Sequence, residues 1–321
     1  MSSPPPIPST ATSPYTMLNT SPHPPLGFGT YKIGYLPPTS ASALSGSSPP
    51  PPPVDCTEVV SLALKNGYRF IDCAEFYNNE DKVGQAIKDS GINRDELFIV
   101  SKIWTTTLSL GRTSIKSQVL KCLKDLCISK IDVMMIHWPV PGYHIPGYHV
   151  LCECVDEGLI GGLGVSNYGI EDYNDLMSSE PKYPPMINQI EINPFLYRPK
   201  TIKYFQDKGV VMQSYRSLRD GKEFGNEDLI QIGEKYGRSV AQVLGRWLIQ
   251  KGIVYIPKTT SEARMVENFD VFGWELSEED MEVLDGMTTE EARGKFLDGY
   301  RVGCIRGTEV GEEMVRDVTV G

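Results

Sequence analysis

From Asp55 onward the chain repeats one pattern: a short run of apolar β-formers, then a longer stretch with apolar residues spaced as on one face of a helix. The runs are Phe70-Ile71, Leu97 to Val100, Ile131 to Ile136, Leu163 to Val165, Met186 to Ile190, Val210 to Met212 and Ile253 to Ile256. Between them, Ile115, Val119, Leu120, Leu123 and Leu126, or Val240, Val243, Leu244, Trp247 and Leu248, recur at about the 3.6-residue period of a helix. Strands that are apolar throughout and separated by helices form a parallel sheet covered on its faces. Leu26 to Thr30 makes an eighth run, and eight β/α units in 321 residues predict an α/β fold of the closed (β/α)8 TIM-barrel type. A doubly wound sheet would need a G-x-G-x-x-G turn after its first strand. Gly27-x-Gly29 and Gly162-x-Gly164 both lack the third glycine.

Residues 1 to 54 stand apart, with no Asp or Glu and Lys32 as their one basic residue. The expected organisation is a disordered tail over 1–14 and a single barrel domain over 15–321, with an N-terminal hairpin and a Pro/Ser-rich surface insertion at 37–53. The five-proline run Pro49 to Pro53 cannot join a helix or sheet. A transit peptide would carry several Arg, and this segment has none. No apolar stretch is long enough for a membrane helix, and no basic-then-apolar signal opens the chain. The expected location is the cytoplasm. A net charge of −10 with no offsetting basic run argues against nucleic acid or an anionic membrane as partner. The seven cysteines read as reduced thiols in such a chain.

In a parallel barrel the chemistry gathers at the C-terminal ends of the strands. The second run closes on Asp72, the third leads to Lys102 and the fourth to His137. Neighbouring strands lie about 4.8 Å apart, so an acid, a base and an imidazole come to one rim. Any one of them alone reads as an ordinary polar residue at a strand end; three in consecutive strands do not. Tyr77 follows Asp72 in a loop able to fold over the mouth. A phenol has an ordinary pKa of about 10, and a neighbouring ammonium such as Lys102 would lower it, with Asp72 holding Lys102 protonated. Such a relay suits protonation of a carbonyl oxygen.

Asp72-Cys73-Ala74-Glu75-Phe76-Tyr77-Asn78-Asn79-Glu80, with Val83-Gly84, resembles the second-strand signature of the aldo-keto reductases. Ser101-Lys102-Ile103-Trp104, His137-Trp138-Pro139, Gly164-Val165-Ser166-Asn167, Asn188-Gln189-Ile190-Glu191 and Ile256-Pro257-Lys258-Thr259 continue the match in family order, from about Tyr15 to about Met287. The resemblance implies reduction of an aldehyde or ketone with NADPH. It makes Tyr77 the proton donor, tuned by Lys102 and Asp72, and His137 the group that orients the substrate oxygen. It further implies that Ser166, Asn167 and Gln189 hold the nicotinamide on the ring of Tyr215, and that Arg216 and Leu218 lie under the pyrophosphate. Lys258, Thr259 and Arg264 would then take the adenosine phosphate, with Glu267 and Asn268 on adenine. Helix N-termini and cations suit a 2′-phosphate for a physical reason as well, since free N–H groups attract anions. Tyr31, Trp104 and Trp138 are the expected aromatic walls of the substrate pocket. A small carbonyl compound is the expected partner, no metal is expected, and the oligomeric expectation is a monomer or weak dimer. The rival reading, also drawn from relatives, is an NADPH-binding regulatory or scaffolding subunit.

Three departures from the family pattern stand out. Arg216-Ser217-Leu218-Arg219 replaces the usual Ser-Pro-Leu-Gly, so two added guanidinium groups would either strengthen anion binding or point away. The connection from Trp138 to His149 is short, and the proline tract is extra. His144, His149, Cys152 and Cys154 have zinc-ligand chemistry, but on a helix Cys152 and Cys154 point about 200° apart. Gly164-Val165-Ser166-Asn167-Tyr168-Gly169 is one residue too long for a nucleophile elbow, which argues against a serine hydrolase.

Overall fold

The computed structural model describes residues 23–34 and 54–320. The expected tail, hairpin and proline insertion lie outside them, apart from the strand that begins near Leu26. Eight strands follow one another in order around one sheet: β1 Phe28–Gly29, β2 Phe70–Asp72, β3 Phe98–Ile103, β4 Ile131–Ile136, β5 Ile160–Ser166, β6 Ile187–Glu191, β7 Val211–Tyr215 and β8 Val254–Tyr255. Every neighbouring pair is parallel. The ring closes through a parallel bridge between Leu26 and Tyr255, with Gly27 N donating to Tyr255 O at 2.8 Å and Gly29 N to Pro257 O at 3.0 Å. This is the (β/α)8 barrel expected from the run pattern.

Two apolar cores result from side chains alternating across each strand. Phe70, Val100, Val133, Met135, Ile187, Val211, Val254 and Ile256 fill the barrel interior. Ile71, Ile99, Ile136, Val165, Ile190 and Met212 face outward and pack under the helices. The same alternation sends Asp72 inward above Phe70, and Lys102 inward above Val100.

The helices start where their caps stand. Asp55 accepts from Thr57 N before the helix Cys56–Lys65, and Ser239 with Gln242 forms a capping box before Val240–Gln250. The helix Glu80–Ser90 lies so close to the end of Arg112–Asp125 that a Cβ on Gly84 would stand 2.0 Å from Asp125 O. The helix His144–Asp156 begins within the short connection after β4, so His149, Cys152 and Cys154 are helical, as assumed for the zinc argument. Among the described residues no cluster of His, Cys, Asp or Glu has the arrangement of a metal site, and no helix is long and apolar enough to cross a membrane.

After Met287 the chain forms the helix Glu290–Ile305 and a tail whose Val318 packs with Tyr300 and Cys304.

Candidate active site at the barrel mouth

Lys102 sits inside β3 rather than at its end, fully buried, and spends its three ammonium protons on three oxygens. Nζ lies 2.7 Å from Asp72 Oδ1, 2.7 Å from Cys73 O and 3.2 Å from Tyr77 Oη. Tyr77 is delivered by a short 3-10 turn, Glu75–Tyr77, that ends on Asn78 in the left-handed region at φ 50°. The turn is anchored from both sides. Asn79 Nδ2 donates to Thr30 O and Ile33 O at 2.9 Å each, and Glu75 accepts from Trp104 N at 2.7 Å and from Thr107.

His137 follows the last residue of β4, with its ring centroid 5.9 Å from that of Tyr77. Burial and the charge of Lys102 together hold its imidazole well below its ordinary pKa, so it is neutral. Its Nδ1 is buried without a hydrogen-bond partner among the described residues. The phenol of Tyr77 behaves differently from the sequence expectation. Burial, with the Asp72 carboxylate adding to it, pushes Tyr77 well above its ordinary value. Tyr77 therefore carries its proton at neutral pH.

The residues expected at the nicotinamide form a hydrogen-bonded arc over the ends of β5, β6 and β7. Ser166 Oγ donates to Gln189 O at 2.8 Å, Asn167 Nδ2 to His137 O at 3.0 Å, and Tyr215 Oη to Asn167 Oδ1 at 2.6 Å. Asn167 makes these contacts from a left-handed backbone at φ 61°. Gln189 Nε2 donates to Asp72 Oδ1 at 2.7 Å. Burial and the charge of Glu191 push the Tyr215 phenol up.

The expected phosphate end is separate. The helix Glu262–Phe269 has Ser261 at its N-cap without a side-chain cap bond, so its first N–H groups stay open. Desolvation and repulsion from Lys32 push the Lys258 ammonium below its ordinary pKa, and an anion between the two would relieve that repulsion. Thr259 is buried beside them and its side chain donates to none of the described residues; its Oγ1 accepts from Ser261 N at 3.1 Å. Arg264 is exposed on the helix, Glu267 half-buried, and Asn268 buried with Oδ1 3.3 Å from Tyr255 Oη. An open helix start flanked by crowded cations fits a phosphate group, and an arc of amides and a hydroxyl fits a carboxamide.

Both added arginines are paired with carboxylates of this chain. Arg216, at φ 49°, lies 3.1 Å from Glu191 Oε2 and 3.1 Å from Asp220 Oδ2, and Arg219 pairs with Glu223 at 3.0 Å. Leu218 is half-buried against the core.

The expected pocket walls have the following neighbours. Tyr31 stands 5.1 Å from the Tyr77 ring, and Trp104 5.0 Å from the His137 ring. Trp138 packs against Gly303 of the C-terminal helix, where a Cβ would stand 2.5 Å from its ring. Two residues that sequence reasoning gave no role complete the rim. Phe76 stacks on Trp104 at 4.0 Å, and the Arg306 guanidinium lies 5.0 Å above Phe76 and 5.9 Å from Trp104. Phe76 sits inside the quoted signature and was legible there; Arg306 comes from the C-terminal segment, where no motif marked it.

The sequence model of the Aldo/keto reductase family matches residues 25–288. Glyoxal reductase of Bacillus subtilis is 38% identical over 240 residues, covering 75% of this chain and 86% of its own. Aldose reductase B of Dictyostelium discoideum is 35% identical over 264 residues, 72% of this chain and 84% of its own. A crystal structure of an aldo-keto reductase from a Medee basin deep-sea metagenome library superposes with a TM-score of 0.75 at 32% identity, covering 85% of this chain and 94% of that one. One from Brucella melitensis gives 0.74 at 31% identity, covering 86% and 100%. The family match ends within a residue of the Met287 limit read from the motifs, and it begins later than Tyr15. The chain thus belongs to the aldo-keto reductase family and is an oxidoreductase acting on carbonyl groups.

Proposed function

We propose that the protein reduces a small aldehyde or ketone to an alcohol with NADPH, and that Tyr77 delivers the proton. The observation that carries this reading is the Lys102 ammonium held between Asp72, Cys73 O and Tyr77 Oη. The cofactor, when bound, supplies the hydride. Tyr77 supplies the acid: it is protonated at neutral pH and meets the carbonyl oxygen as that oxygen becomes basic. Lys102, 3.2 Å away, stabilises the phenolate left behind, so its charge acts where charge develops. Neutral His137 can offer an N–H to the same oxygen. The stacked rings of Phe76 and Trp104, with Tyr31 opposite, favour an apolar or aromatic body beside the carbonyl, while the name of the Bacillus relative favours small aldehydes. Ser166, Asn167, Gln189 and Tyr215 would hold the nicotinamide, Arg216 and Leu218 would lie beneath the pyrophosphate, and Lys258, Thr259, Arg264, Glu267 and Asn268 would hold the adenosine phosphate. The protein would act in the cytosol as a monomer or weak dimer.

Loss of nicotinamide absorbance in the presence of NADPH and a panel of aldehydes and ketones, glyoxal and benzaldehyde included, tests this reading. Turnover of at least one carbonyl that vanishes in Tyr77→Phe is expected. Tight NADPH binding with no turnover of any carbonyl would instead favour the regulatory-subunit reading.

A further inference from the structure

Beneath the mouth, a line of polar side chains runs down the apolar interior of the barrel. His23 is fully buried, edge-on between the rings of Phe70 at 5.3 Å and Phe98 at 4.7 Å. Its Nε2 lies 2.7 Å from Gln213 Nε2, Gln213 Oε1 lies 2.8 Å from Gln189 Nε2, and that nitrogen lies 2.7 Å from Asp72 Oδ1. None of the four side chains belongs to a residue more than 3% exposed. A buried polar group without a partner costs about 1–3 kcal/mol, so a line of this kind in an apolar core requires every member to be matched.

Only one polarity matches them all. Asp72 Oδ1 already accepts from the Lys102 ammonium, so the Gln189 atom facing it is the amide nitrogen. That nitrogen gives its second proton to Gln213, whose facing atom is therefore the oxygen. Gln213 then turns its own nitrogen to His23, whose Nε2 must be the bare acceptor. The His23 proton is left on Nδ1, and Nδ1 lies 2.7 Å from a carbonyl, Pro24 O. Burial pushes the His23 imidazole down to about 4, in keeping with a neutral ring. Both ends of the line are acceptors, and each contact along it joins one donor to one acceptor. Gln189 is left with its NH2 fully used, while its Oε1 accepts nothing from the described residues.

We infer that Gln213 and His23 are positioning residues that fix the amide of Gln189 with its oxygen, and not its NH2, offered to the cofactor. Gln189 then receives a proton from a donor such as the nicotinamide carboxamide NH2. This rests on the reading that Gln189 holds the nicotinamide.

The test measures NADPH affinity by fluorescence titration together with the 15N spectrum of the His23 ring. The wild type should show a protonated Nδ1 and a bare Nε2. Gln213→Leu removes the acceptor for Gln189 and should weaken NADPH by about tenfold. Gln213→Glu again presents an oxygen to Gln189, so affinity should return to within about threefold of wild type, with the bond to His23 now running from or to the carboxyl group. A protonated Nε2 in the wild type, unchanged affinity in Gln213→Leu, or a Glu variant as weak as the Leu variant would each overturn the inference. Gln189→Leu separates the two layers. If it leaves NADPH affinity intact, the nicotinamide reading of Gln189 fails and the inference with it. If it weakens binding while Gln213→Leu does not, the inference alone fails.

Discussion

Asp72 and Gln189 meet at one oxygen: Asp72 Oδ1 accepts from Gln189 Nε2 and from Lys102 Nζ, each at 2.7 Å. The proposed proton-donating group and the proposed nicotinamide-holding group are thereby tied to a single buried carboxylate. Changes on one side of Asp72 should be felt on the other.

If Tyr77 is the acid, Tyr77→Phe removes the proton donor and leaves the arc of Ser166, Asn167 and Tyr215 intact. Carbonyl reduction should fall by about 10² to 10⁴ with NADPH affinity nearly unchanged. Lys102→Met should cost a similar factor. The double variant should be hardly worse than either single one, because both disable one unit. Steady-state kinetics in which the double defect equals the product of the single defects would show that Lys102 acts independently of the phenol.

Crowding of Lys258 by Lys32 beside an uncapped helix start should favour the phosphorylated dinucleotide. NADPH should bind at least about tenfold tighter than NADH. Arg264→Ala should narrow that gap chiefly by weakening NADPH. Equal titration curves for the two cofactors in the wild type would reject this assignment.

Stability should decline in mild acid because three buried histidines, His23, His137 and His144, resist protonation in the folded protein. Burial holds His23 at about 4, and burial with the charge of Arg316 holds His144 at about 4, against an ordinary 6.5. Below about 6.5 the unfolded chain takes up protons that the folded protein refuses, so stability present above that pH is lost as pH falls toward 4, by about 3 kcal/mol for each of His23 and His144. Asp172 works the other way: burial raises its carboxyl to about 6, so between about 3.8 and 6 the folded protein keeps a proton that the unfolded chain releases. It offsets part of the loss. Melting temperatures should fall from pH 7 to pH 4.5, and less steeply in His144→Gln. An identical slope in that variant would remove His144 from the account.

Gly84 tests the packing of the shell. An added Cβ meets backbone, Asp125 O at 2.0 Å and Leu126 C at 2.6 Å, and backbone has no rotamer by which to yield. Gly84→Ala should lower stability by about 1–3 kcal/mol in denaturant titration despite its better helix propensity. A neutral or stabilising result would mean that the helices Glu80–Ser90 and Arg112–Asp125 separate freely.

All eight strands were legible because a strand buried on both faces writes a continuous apolar run. The ends were less so. β3 continues through Ser101 and Lys102 to Ile103, past the apolar run, because the ladder to β4 pairs Lys102 with Met135 regardless of polarity. Asp72, Lys102, Tyr77 and His137 do come together, as the strand-end argument required. The acidity of Tyr77 was not legible, since it depends on how completely the mouth excludes water. Trp138 and Trp104 look alike in sequence but are held by different partners: one packs against Gly303, and the carboxylate of Glu75 accepts from the backbone N–H of the other. Arg306 and the line from His23 to Gln189 join positions far apart in the chain, which no local pattern encodes.

The seam of the barrel joins Gly27 to Tyr255, so the first and last strands to be synthesised must find each other. A growing chain that has not yet reached Tyr255 carries a curled sheet with two unsatisfied edges, β1 on one side and its latest strand on the other. Such edges are templates for pairing with a second chain. Late closure also means slow closure, because contacts this distant in sequence reward the chain only after the whole loop has been drawn in. The ring that leaves no free strand edge among the described residues thus concentrates exposure to misassembly in the interval before residue 255 emerges.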